Sequence, residues 1–153
     1  MRSFTFLLLL FTGHTVTAIN IREEQLRLDA ATELWESQTS GEGYTFTVQT
    51  ICYCSPEFTQ DLTVDVDVDG DITSVMDKFE FQVEDEIANT VSTVWDMFFQ
   101  IQDALDGPAS TLSVTYDEEL GYPKSLYVDW DEKYADEDQN IEIKSLSKVS
   151  TTS

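Results

Sequence analysis

Hydrophobic and polar positions recur along this chain with helical and strand-like periods, and the changes of period mark its elements. Over about Ile21 to Ser37, Leu28, Ala31, Leu34 and Trp35 fall on one face at helical spacing, and Gly41 and Gly43 follow to stop the helix. Tyr44 to Ile51 alternates and predicts a strand. Leu62 to Val68 alternates more strictly, with Leu62, Val64, Val66 and Val68 facing a core and Thr63, Asp65 and Asp67 facing water. Asp69-Gly70 then supplies the residues of a type I′ turn, and Asp71 to Val75 returns as the partner strand. A second helix is expected over Thr90 to Leu105. Its stripe is Val91, Val94, Phe98, Ile101 and Leu105, broadened by Trp95, and Gly107-Pro108 ends it. Strands follow near Thr111 to Tyr116 and Ser125 to Trp130, and Ile141 with Ile143 predicts a short last strand at an edge.

Hairpin-linked strands pair antiparallel, and two amphipathic helices need a face to cover. The expected class is therefore α+β, an antiparallel sheet of about five to six strands with both helices on one face. Nothing repeats internally, and no Pro-, Gly- or Ser-rich linker interrupts residues 19–153, so one domain is expected, with its core over about 28–146.

Composition changes the picture first at the N-terminus. Arg2, the apolar run Phe4 to Phe11 and the compact Val16-Thr17-Ala18 have the parts of a cleaved leader, and cleavage is expected after Ala18. The apolar run is too short to span a bilayer. The mature chain is then expected to be secreted. It keeps seven basic residues against 30 acidic ones, a net charge of −23, and it loses His14, the single histidine. Such a charge disfavours nucleic acid and anionic membrane surfaces, and it permits cations and basic proteins. It also suits a soluble monomer.

Candidate chemistry is sparse. Asp65 to Ile72 copies the first half of an EF-hand calcium loop, but Met76 stands where the closing carboxylate belongs, and a β-hairpin explains the same residues. A second acidic group, Asp129, Asp131, Asp136 and Asp138, has the oxygen ligands that weak extracellular calcium binding uses; a solvated acidic loop is the simpler reading. Cys52 and Cys54, the two cysteines, face the same side of a strand end in a chain bound for an oxidising compartment, and a disulfide is expected between them. A thiol-redox role and an intermolecular bond are the alternatives, with no basic neighbour in sequence to activate a thiolate. Without histidine there is no imidazole base, and neither a phosphate-binding glycine loop nor a nucleophile elbow occurs. An enzyme is not expected, and no cofactor other than calcium is suggested.

Several landmarks together carry a resemblance. They are Trp35-Glu36, Tyr44-Thr45-Phe46, Cys52-Tyr53-Cys54-Ser55-Pro56-Glu57-Phe58, Asp69-Gly70, and Tyr116-Asp117-Glu118-Glu119-Leu120-Gly121-Tyr122-Pro123 running into Val128-Asp129. Over about residues 30 to 140 the chain resembles domain-of-unknown-function family 6174, whose members are short secreted proteins or lipoproteins. A longer acidic insert around Lys78 to Asn89 and the lack of a lipobox cysteine depart from that pattern. The resemblance brings no activity. It implies that Cys52, Cys54, Tyr116, Asp117, Gly121, Tyr122 and Pro123 form one structural or binding unit. The functional expectation is a non-enzymatic secreted binding or scaffold module for an unknown protein or cationic partner, with calcium-responsive and thiol-redox proteins as alternatives.

Overall fold

In the computed structural model, which describes residues 20–130 and 138–149, the chain forms α1 (Ile21–Thr39), β1 (Gly43–Thr50), β2 (Leu62–Val66), β3 (Ile72–Met76), α2 (Asp85–Ala88), α3 (Val94–Asp106), β4 (Thr111–Tyr116), β5 (Pro123–Asp129) and β6 (Gln139–Val149). The expected leader and its expected cleavage site lie outside the described residues.

The six strands make one antiparallel sheet in the order β3-β2-β1-β6-β5-β4. Two three-stranded meanders thus stand side by side, joined where β1 pairs with β6. The chain passes from the outer edge of one meander to the outer edge of the other through α2 and α3. The expected α+β class, with the long helices packed on an antiparallel sheet, is what the structure has.

Alternation decides which face is covered. Tyr44, Phe46 and Val48 of β1, Leu62, Val64 and Val66 of β2, and Leu126 and Val128 of β5 are buried beneath the helices. The intervening positions carry Thr45, Thr47, Thr63 and Asp65, which keep the other face wet. From above, α1 contributes Leu28, Ala31 and Trp35, and α3 contributes Val94, Met97, Phe98, Ile101 and Leu105. Trp35 is at the centre, with its ring edge-on to Tyr44 at 5.1 Å and to Tyr122 at 6.3 Å. Burying a side chain of that size contributes about 2–3 kcal/mol.

Three expectations need correction. β6 is not an edge strand: it spans Gln139–Val149 and is bonded on both sides, to β1 and β5. Its second half, Lys144 to Val149, lacks strict apolar alternation, but ladder hydrogen bonds use the backbone and are indifferent to that. The second long helix begins at Val94, not Thr90, because Thr93 and Asp96 form a capping box there. Finally, the turn after β2 is not type I′. That type needs positive φ at both central residues, whereas Gly70 has φ 89° and, among the described residues, Glu80 is the one non-glycine with positive φ. Asp67 N–H instead reaches Asp71 O across a three-residue loop, and Val68 sits exposed in the turn rather than in the core.

The same loop is built again after β3. Asp77 N–H donates to Phe81 O, and Asp77 Oδ1 accepts from Phe79 N at 2.8 Å and Phe81 N at 3.0 Å, as Asp67 Oδ1 does from Asp69 N and Asp71 N. Met76 bridges to Gln82, so this small hairpin covers part of the β3 edge. Asp65 accepts from Thr45 Oγ1 at 2.6 Å across the β1–β2 ladder. The acidic run 65–71 is therefore a hairpin, with the Asp65 and Asp67 carboxylates engaged in cross-strand and turn bonds and Asp69 and Asp71 exposed.

Candidate functional site

The loop joining β4 to β5 folds back because Asp117 organises it. Asp117 Oδ1 accepts from Glu119 N at 3.0 Å and Leu120 N at 2.9 Å, and the Asp117 backbone bonds to Tyr122 O and Gly121 N. Gly121 has φ 84° and presses on α1. Tyr122 is buried beside Trp35 and Pro123 is fully buried. The Tyr122 phenol is held above its ordinary range by burial and by the nearby Asp117 carboxylate. Tyr116 donates to Glu24 Oε1 at 3.3 Å, and the Arg27 guanidinium lies 5.4 Å from its ring centroid while also donating to Val114 O. Burial first, then Glu24, raise that phenol. Tyr116 and Gly121 meet α1, Tyr122 packs beside its Trp35, and Asp117 shapes the loop between them, while Glu118 and Glu119 stay exposed at its tip.

Cys52 and Cys54 are bonded to each other, with Cα atoms 5.3 Å apart, in the exposed loop after β1. Because β1 and β5 run parallel, this loop lies at the opposite end of the sheet from Asp117–Tyr122. The two segments do not form one unit. The disulfide instead meets Tyr127, Asp138 and Asn140 around a cleft of about 390 Å³. Tyr127 donates to Asp138 Oδ2 at 3.1 Å, and burial together with Asp138 and Asp129 raises its phenol. Asp129 Oδ1 is buried and has no hydrogen-bond partner among the described residues. Asp131 and Asp136, the other candidate calcium ligands, lie outside the described residues, and the described ones contain no group of three or more metal-ligating side chains.

A third region was not singled out from the sequence. Between α1 and α3 runs an open groove of about 380 Å³, floored by Leu28, Phe98 and the half-buried Trp95, with Phe99 63 % exposed on one wall. Trp95 meets Phe98 edge-on at 5.6 Å and lies tilted against Phe99 at 6.4 Å. The α1 wall carries Asp29, Glu33 and Glu36, all exposed. Among the described residues none of these three makes an ion pair; Arg27, Lys144 and Lys148 pair elsewhere. At one end Gln25 and Gln102 exchange reciprocal amide hydrogen bonds of 2.9 and 3.0 Å, fixing the helices to each other. The sequence did hold a signal: Phe99 follows Phe98 but falls off the core stripe, where an aromatic side chain must face outward.

The described helices include none long and apolar enough to cross a membrane. No curated protein and no solved structure matches the chain. Residues 27–148 match the model of the family described as "Family of unknown function (DUF6174)", and the chain belongs to that family.

Proposed function

We propose that this protein is an exported binding module without catalysis of its own, and that the groove between α1 and α3 is its binding face. The observation that carries the reading is the exposed Phe99 continuing the Trp95–Phe98 floor into solvent on an otherwise strongly acidic chain. Rigid helices frame the groove, and an aromatic anchor site beside charged residues is a common form of protein-binding surface. Export is supported by the leader-like first 18 residues and by the disulfide. Chemical-shift mapping with small aromatic amines tests the binding face: saturable shifts are expected at Leu28, Thr32, Phe98, Phe99 and Gln102. Saturable shifts confined to other surfaces would overturn it. Export is checked by the mature N-terminus, expected at Ile19.

A calcium-responsive role is the second reading, favoured by the buried Asp129 Oδ1 beside Tyr127 and Asp138. It requires a calcium-dependent rise in melting temperature at millimolar calcium. An unchanged melting temperature removes it.

A further inference from the structure

The two walls of the groove differ in chemistry, and that difference specifies an occupant. Resting on the reading that this groove is the binding face, we infer that it takes a basic amphipathic helix of a protein partner. Asp29, Glu33 and Glu36 are spaced four and three residues apart, so they rise one per turn along α1 over about 10 Å. Trp95 and Phe98 floor the groove, and Phe99 continues that apolar surface up the facing wall. A helix lying in the groove therefore meets carboxylates on one flank and aromatic rings on its underside. Its complement has Lys or Arg at i, i+4 and i+7, the spacing of the carboxylate row, and Leu or Phe on the adjacent stripe.

Charge favours this occupant over a neutral apolar one. The three carboxylates have no cationic partner among the described residues, and the whole chain has eight Lys and Arg against 30 Asp and Glu. An approaching cationic segment is attracted at long range and gains ion pairs at the row. An acidic segment, or a second copy of this chain, is repelled there. The helical form follows from the trough between two helices and from the matching rise per turn.

The test uses the whole mature chain and three synthetic peptides of equal length. One carries lysines on the i, i+4, i+7 row beside a leucine stripe. The second has the same composition with the lysines moved to the opposite face, and the third replaces lysine by glutamine. Titrations follow backbone amide shifts at low salt, for the wild type and for an Asp29→Asn, Glu33→Gln, Glu36→Gln variant whose changes are all at exposed positions. The row-matched peptide is expected to bind at the groove about tenfold more tightly than either control and to lose about tenfold on the triple variant. Its affinity should also fall with added salt. Equal binding of all three peptides at the groove, unaffected by the triple variant, would overturn the basic helix while leaving the groove as the binding face. Failure of the row-matched peptide to bind, or shifts elsewhere, would overturn the inference; the small-amine mapping then decides the groove reading separately.

Discussion

At Gly121 a β-carbon would stand 2.4 Å from the Ala31 carbonyl oxygen and 2.9 Å from the Trp35 nitrogen, both backbone atoms of α1 that cannot step aside. Its φ of 84° adds a conformational penalty for any other residue. Gly121→Ala should lift the loop off the helix and cost about 3 kcal/mol in urea unfolding. A loss below about 0.5 kcal/mol would mean that the loop is not pinned as described. The opposite case is Glu80, at φ 64° in the small hairpin, at the position that Gly70 occupies in the equivalent loop. Glu80→Gly should stabilise by about 0.5–1 kcal/mol, seen as a higher melting temperature. An unchanged or lower melting temperature would show that the Glu80 side chain contributes more than its backbone costs.

Elements are held together by specific contacts as well as by burial. Gln25 and Gln102 join α1 to α3, and each amide is also held by a carboxylate one turn away, Asp29 and Asp106. Gln102→Ala leaves its partner amide half-satisfied and should cost about 1 kcal/mol. A double-mutant cycle with Gln25→Ala should return a coupling of about 0.5–1 kcal/mol, and additive losses would show that the pair does not act as a unit. Elements of this kind were legible to different degrees. Helix α1 and strands β1, β2, β4 and β5 could be read from periodicity, because a half-buried helix or strand must alternate. Strand β6 could be placed only in part, since its position between β1 and β5 depends on backbone pairing between distant segments. The start of α3 was hidden behind Val91, which packs on the core from outside the helix. The cysteine pair could be read from compartment and spacing. The groove could not, because it arises only where two helices meet, and the loop around Tyr122 looked like a ligand site because buried and binding tyrosines share one letter.

For the whole molecule, the acidic charge is partly structural. Asp67, Asp77 and Asp117 each organise a loop, and Asp96 caps α3. Buried phenols make the molecule sensitive at high pH instead. Tyr44, whose hydroxyl accepts from Val94 N at 3.3 Å, is pushed up to about 12 by burial, with Asp96 adding to the effect. In the unfolded chain the same phenol titrates near 10. Between those values the unfolded state holds fewer protons than the folded state, so stability falls as pH rises. Tyr116 and Tyr122 are shifted in the same direction. Urea midpoints should therefore decline from about pH 10 upward. A flat profile from pH 9 to 11 would show that these phenols are not held neutral by the fold.

Two exposed phenylalanines on different parts of the surface allow the binding face to be tested directly: Phe99 in the groove, 63 % exposed, and Phe81 in the hairpin, 70 % exposed. The measurement is the dissociation constant of the row-matched basic peptide for Phe99→Ser and Phe81→Ser, each beside the wild type. Affinity should fall about tenfold or more for Phe99→Ser and stay within about twofold for Phe81→Ser. Equal affinities for the wild type and Phe99→Ser, or a loss confined to Phe81→Ser, would contradict the assignment of the groove as the binding face.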